Sequence, residues 1–139
     1  MSIKESLEEG YLQRITPDKE LIEKELNEAD YDFGRANKAL EEEDYKWCTV
    51  KSYFSMFHSA RAVLFSLGYR EKRHFAIGAV LDDLREKGKL ESRYVNDFKG
   101  AMSAREGADY HYSYSRDKAE YMVGMAEEFN RRMKKLLKA

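Results

Sequence analysis

A chain of 139 residues with 25 basic and 26 acidic side chains carries a formal net charge of −1. That balance excludes a generally polycationic nucleic-acid binder while leaving a local basic site open. The length suits a single domain with a real core, and 42% apolar with 13% aromatic residues is too much for a disordered chain. One proline and eight glycines are too few turn residues for a sandwich or barrel of many short strands.

Residues 1–15 lack a sustained apolar stripe and read as a short helix or a loose arm ahead of one domain over 16–139. They carry Glu5, Glu8 and Glu9 with no apolar block, so they do not read as a signal peptide. No apolar stretch approaches the roughly 20 residues of a membrane span, so the expected location is the cytoplasm. Thr16-Pro17-Asp18 reads as a helix start with Thr16 as N-cap. Ile22, Leu26, Ala29, Phe33, Ala36 and Leu40 then recur at helical spacing. The run Glu41 to Asp44 opposes the negative end of that helix and suits the start of the next, placing a boundary near Asp44.

A second long helix over about 45–68 has two apolar stripes, one through Trp47, Val50, Phe54, Phe57 and Leu64, the other through Tyr53, Met56, Ala60, Val63 and Leu67. Its remaining strip is small: Ser55, Ser59, Ala62 and Ser66. Such a helix belongs at the centre of a bundle, with the small strip admitting a close neighbour. Gly68 supplies its stop. The single cysteine, Cys48, lies in an apolar run and reads as a buried, inert thiol. His58 reads as a hydrogen-bonded core residue.

A basic connection from Tyr69 to His74 leads to a helix with Ile77, Leu81 and Leu84 inward, ending at Gly88. The next, about 91–106, turns Val95, Phe98, Met102 and Arg105 to one side, with Gly107 as its expected end. The last opens with Asp117 and Glu120 in capping-box spacing and buries Ala119, Met122, Ala126, Phe129, Met133 and Leu136. No segment alternates as a strand. The expected fold is an all-α bundle of four longer helices and a shorter one.

Arg105 precedes His111 by six positions. On an unbroken helix that step separates the side chains by about 120°, whereas a break at Gly107 would let them converge. An arginine fork gripping a phosphate beside a histidine moving protons suits phosphodiester cleavage. Glu71-x-x-His74 has the spacing of a di-iron ligand pair, but that chemistry needs two such pairs and further glutamates, so no metal is expected. No phosphate-cradling glycine loop or nucleophile elbow occurs, and no cofactor is expected. The basic end, Arg131, Arg132, Lys134, Lys135 and Lys138, complements the terminus of the last helix.

Three segments together resemble the HEPN domain, a family of small helical bundles, and more narrowly its prokaryotic stand-alone branch. They are Tyr53-Phe54-Ser55-Met56-Phe57-His58-Ser59-Ala60-Arg61-Ala62, Lys72-Arg73-His74, and Arg105-Glu106-Gly107-Ala108-Asp109-Tyr110. The resemblance covers about 18–138. It implies a HEPN-like up-and-down bundle, a homodimer, and a toxin-like protein working with a nucleotidyltransferase partner. Many members carry arginine, four to six residues, then histidine, and act as metal-independent ribonucleases. Carried onto this chain, Arg105 would hold the scissile phosphate, His111 would move the proton and Asp109 would orient one of the two. Tyr110 would pack beside them, and Arg73 and His74 would form an anion-binding edge for RNA or nucleotide. The alternative on the same fold is a non-catalytic nucleotide-binding or protein-docking module. Tyr110, Tyr112 and Tyr114 would stack bases, accept a nucleotidyl group from the partner, or pack over the helix ends.

Overall fold

The computed structural model describes residues 1–138; Ala139, the last residue of the expected domain, lies outside it. Six helices and two short strands follow in the order α1 (Ile3–Glu8), β1 (Leu12–Arg14), α2 (Lys19–Glu41), α3 (Tyr45–Ser66), β2 (Tyr69–Glu71), α4 (Phe75–Glu86), α5 (Ser92–Tyr110) and α6 (Arg116–Lys138). The four longer helices are α2, α3, α5 and α6, as the apolar spacing predicts.

α3 is the central element, and α2, α4, α5, α6 and β2 all pack on it. Its small strip does this work inside one chain. The Ser55 hydroxyl donates to the Ala29 carbonyl of α2 at 2.7 Å, and the Ser59 hydroxyl donates to Asn130 Oδ1 of α6 at 2.6 Å. Asn130 Nδ2 donates back to Ser55 at 2.8 Å. These buried bonds close both neighbours onto α3, so the strip is not free for a second subunit. Tyr53, Met56, Leu64, Ile77, Leu81, Phe98, Phe129 and Met133 fill the core, each fully buried. Cys48 is also fully buried, and burial pushes its thiol up to about 11, where a thiolate is scarce.

Several local expectations are corrected. The N-cap of α2 is Asp18, whose carboxylate accepts from the Glu20 N–H at 2.9 Å, not Thr16. Thr16 and Pro17 instead follow a strand extension in which the Ile15 N–H donates to the Gly68 carbonyl. That extension belongs to an antiparallel pair, Leu12 opposite Glu71 and Arg14 opposite Tyr69. Three residues a side are too few for alternation to show in a sequence. The pair fastens the N-terminal segment, with Leu12 buried in the core, to the α3–α4 connection. Trp47 and Leu67, expected inward, are 44% and 45% exposed. They stand at the two ends of α3, where its stripes outrun their neighbours. At α6 the cap is Ser115, whose hydroxyl accepts from the Lys118 N–H at 3.2 Å; Asp117 sits in the first turn.

α5 does not stop at Gly107. It continues to Tyr110, and the Gly107 carbonyl accepts from both the His111 N–H (3.1 Å) and the Ser113 N–H (2.9 Å). The helix ends one turn later because Tyr112 adopts a left-handed backbone, φ 54°. That position ordinarily belongs to glycine, and a bulky residue there costs roughly 1–2 kcal/mol. Tyr112→Gly is therefore expected to stabilise the fold by roughly 0.5–1 kcal/mol after the added unfolded-state entropy is discounted. Urea unfolding followed by circular dichroism reads this directly, and a loss of stability would contradict it.

Candidate functional site

The guanidinium of Arg105 lies between two aromatic rings, 5.2 Å from the centre of Phe54 on α3 and 5.5 Å from that of Tyr110 one turn on. Its Nη2 stands 3.5 Å from Asp109 Oδ2, one turn along the same helix. The side chain is only 21% exposed, and its Nε is buried with no partner among the described residues. A cation packed on π faces and facing one distant carboxylate keeps donors free for an incoming anion. Arg105, Asp109 and Tyr110 are thus brought together.

His111 is not drawn in with them by a break in the helix. It is the exposed C-cap of α5, and no hydrogen bond or ion pair involves its ring among the described residues. The unbroken helix through Tyr110 keeps the six-residue step near its 120° separation. The ring is therefore open to solvent and is not oriented by the arginine site.

A second histidine shares the electrostatics of Arg105. His74, at the start of α4, places Nδ1 3.2 Å from the Tyr53 hydroxyl, and its ring lies 4.4 Å from that of Phe57. Tyr53 is fully buried, and burial pushes its hydroxyl up to about 12. The phenol keeps its proton, and this is its one hydrogen-bond partner among the described residues. We assign it as donor to Nδ1, because an unsatisfied buried donor is costly; this places the ring proton on Nε2. Burial also holds the His74 imidazole below its ordinary value, helped by the charges of Arg105, Arg61 and His58 and opposed by Glu71.

The sign of the resulting pH dependence follows. A histidine lowered in the fold takes its proton in the unfolded chain first, so its effect on stability is nil above about pH 6.5 and destabilising as pH falls below it. His74→Gln is expected to flatten the loss of stability between about pH 7 and pH 5. An unchanged slope in the variant would contradict this.

Beneath His74 runs a network the sequence did not disclose. Arg61 Nε donates to Glu71 at 3.0 Å and its Nη1 to Glu25 at 3.3 Å, with the guanidinium over the rings of Phe57 and Phe65. His58 meets Glu25 at 2.7 Å through Nδ1 and Asp32 at 3.5 Å through Nε2, hydrogen-bonded as expected but half-buried at the edge of α3 rather than in the core. Glu71 is thus engaged by arginine rather than paired with His74. Arg73 is exposed on the connection before α4, with its N–H and that of Lys72 directed to the Tyr11 carbonyl. At the far end of α6, Arg131, Arg132 and Lys134 pair with Glu127, Glu91 and Asp30. Among the described residues, no helix is long and apolar enough to cross a membrane.

The three segments that carry the resemblance thus converge on one region: Tyr53, Phe54 and Arg61 on α3, His74 on α4, and Arg105 to Tyr110 on α5. The HEPN domain family model matches residues 22–136. The chain belongs to the HEPN domain family. A UPF0332 protein of Archaeoglobus fulgidus is 30% identical over 101 residues, covering 71% of this chain and 81% of the relative. The crystal structure of TT1696 from Thermus thermophilus superposes with a TM-score of 0.72 at 17% identity, covering 83% of this chain and 97% of that one. At that identity the likeness is one of fold. Within this HEPN domain the sequence reading missed Tyr53 and Glu71 as polar partners, because Tyr53 sits in an apolar stripe and Glu71 pairs across ten residues.

Proposed function

We propose that this HEPN protein is a metal-independent endoribonuclease of toxin–antitoxin type, acting as a homodimer in the cytoplasm with a nucleotidyltransferase partner. The observation that supports the reading most is Arg105, aromatic-packed, with an unpartnered Nε and a single carboxylate at 3.5 Å. It would grip the scissile phosphate and stabilise the charge that develops on it. Asp109, within reach of Arg105 and not of His111, would orient the arginine, and Tyr110 would pack against it. His111, unengaged in the free chain, would take the proton of a ribose 2′-hydroxyl as that oxygen attacks phosphorus. The bond to the 5′-oxygen breaks, and the leaving oxygen takes a proton from water. The products are a 2′,3′-cyclic phosphate and a 5′-hydroxyl. His74 and Arg73 would hold a neighbouring phosphate.

A second subunit fits this reading, because no group among the described residues of its own chain bonds to the His111 ring to orient it. The competing reading, a nucleotide-binding or protein-docking module without catalysis, rests on that same unengaged ring. The test is incubation of purified protein with single-stranded and structured RNA in the presence of a chelator. Cleavage leaving cyclic phosphate ends supports the ribonuclease. Intact RNA, with retained binding of nucleotide or of a nucleotidyltransferase, supports the module. Sedimentation at micromolar concentration should give twice the mass of one chain.

A further inference from the structure

The opposite face of α5 holds a feature that the arginine site does not use. Ser103 and Gly107 stand about 200° around the helix from Arg105, and they look into a cleft of ≈ 440 Å³ between α5 and α6. The two helices are joined by a short turn, yet they make few contacts with each other. A Cβ placed on Gly100, which lines the cleft, would meet nothing within 4 Å. Gly100, Ser103 and Gly107 form a floor of small residues along the cleft, with Tyr121 and Met122 among its lining on α6.

Two polar groups give this cleft its chemistry. Thr49 of α3 lines it; the residue is 2% exposed, and its hydroxyl has no partner among the described residues. A buried hydroxyl left unpaired is costly and calls for an explanation. Lys118 lines the cleft near the α5–α6 turn. Its ammonium donates to the neutral Ser113 hydroxyl at 2.9 Å and meets no carboxylate among the described residues. The one acid in the lining is Asp97, near the other end of α5 from Gly107, where burial pushes its carboxyl above the ordinary value.

We propose that the α5–α6 cleft is a binding site for a small amphiphilic organic anion. Its apolar body, an aromatic ring system, lies on the glycine floor. A hydrogen-bonding atom of that body meets the Thr49 hydroxyl, and the anionic head meets Lys118 at the turn, away from Asp97. The volume lies within the range of small-molecule sites, which combine an apolar lining with few polar groups. The proposal is independent of RNA cleavage, since Arg105 and His111 take no part in it.

The test uses two probes on the full chain, 8-anilinonaphthalene-1-sulfonate and N-phenyl-1-naphthylamine, which share an apolar body and differ in the anionic group. The sulfonate is expected to saturate at one per chain and to bind about tenfold tighter than the neutral amine. Lys118→Met should erase that difference. Gly100→Leu, which fills open space, should weaken both probes by about tenfold or more while the helical spectrum is kept. Ser103→Leu, at an exposed position on the same floor, serves the same purpose if Gly100→Leu fails to fold. Equal binding of the two probes, or binding indifferent to a filled floor, overturns the proposal. A shift of the filled variant to a lighter species in sedimentation also overturns it, because a second copy of the chain would then be the occupant.

Discussion

His111→Ala is expected to lower RNA cleavage by about 10²–10⁴-fold, the usual cost of removing a positioned acid or base. Its helical spectrum and unfolding midpoint should stay at the wild-type values, because the exposed ring makes no hydrogen bond or ion pair among the described residues. Arg105→Ala should abolish cleavage as well, but it also removes a side chain packed on Phe54 and Tyr110, so stability falls with activity. Arg105→Lys separates the two effects. Lysine keeps the charge and much of the packed stem but loses the planar fork that matches a phosphate bidentately. If Arg105→Lys cleaves as fast as wild type, the arginine acts only as a point charge. If His111→Ala cleaves as fast as wild type, the proton carrier lies elsewhere, and His74, neutral near pH 7 with Nδ1 held by Tyr53, is the next residue to change.

The long helices were legible because burial imposes a period on them. The stripe from Ile22 to Leu40 is buried or half-buried at every step, and Asp44 does cap α3, accepting from the Trp47 N–H at 3.3 Å. What escaped detection depends on partners distant in sequence or on backbone shapes that composition does not announce. Leu12 to Arg14 form a strand only because Tyr69 to Glu71 lie alongside. Gly107 looks like a helix end, yet glycine is tolerated in a helix at about 1 kcal/mol, and the left-handed residue that stops α5 is a tyrosine, which no propensity argument would place there.

The site divides along the same line. Arg105 and Asp109 are one helical turn apart, and a local rule brings them within reach of each other. Tyr110 follows in the same segment. The bond from Tyr53 to His74 joins residues 21 apart, and the polar tip of a tyrosine in an apolar stripe leaves no trace in the pattern. Arg61 was visible as the arginine after the histidine of the α3 segment, but its two carboxylate partners were not, since Glu25 and Glu71 arrive from different elements.

That arginine carries the largest stability effect expected outside the hydrophobic core. Glu71 has a side chain only 5% exposed, and Arg61, itself 18% exposed, is the cation that faces it at 3.0 Å. Arg61→Met keeps the apolar stem between Phe57 and Phe65 but strands the Glu71 carboxylate. Removing one partner of a buried pair costs about 3–5 kcal/mol, which in a domain of this size lowers the unfolding temperature by on the order of 10 °C. Glu71→Gln should cost much less, because Arg61 retains Glu25 at 3.3 Å and the amide oxygen still accepts. The two changes together should be more stable than Arg61→Met alone, since no charge is then left unpaired at Glu71. Urea unfolding of the three variants measures the ordering. A double variant less stable than Arg61→Met would mean that the arginine acts through its contacts with Glu25, Phe57 and Phe65, and that the β2 strap is held in place by the Leu12–Glu71 backbone pairing without help from the ion pair beneath it.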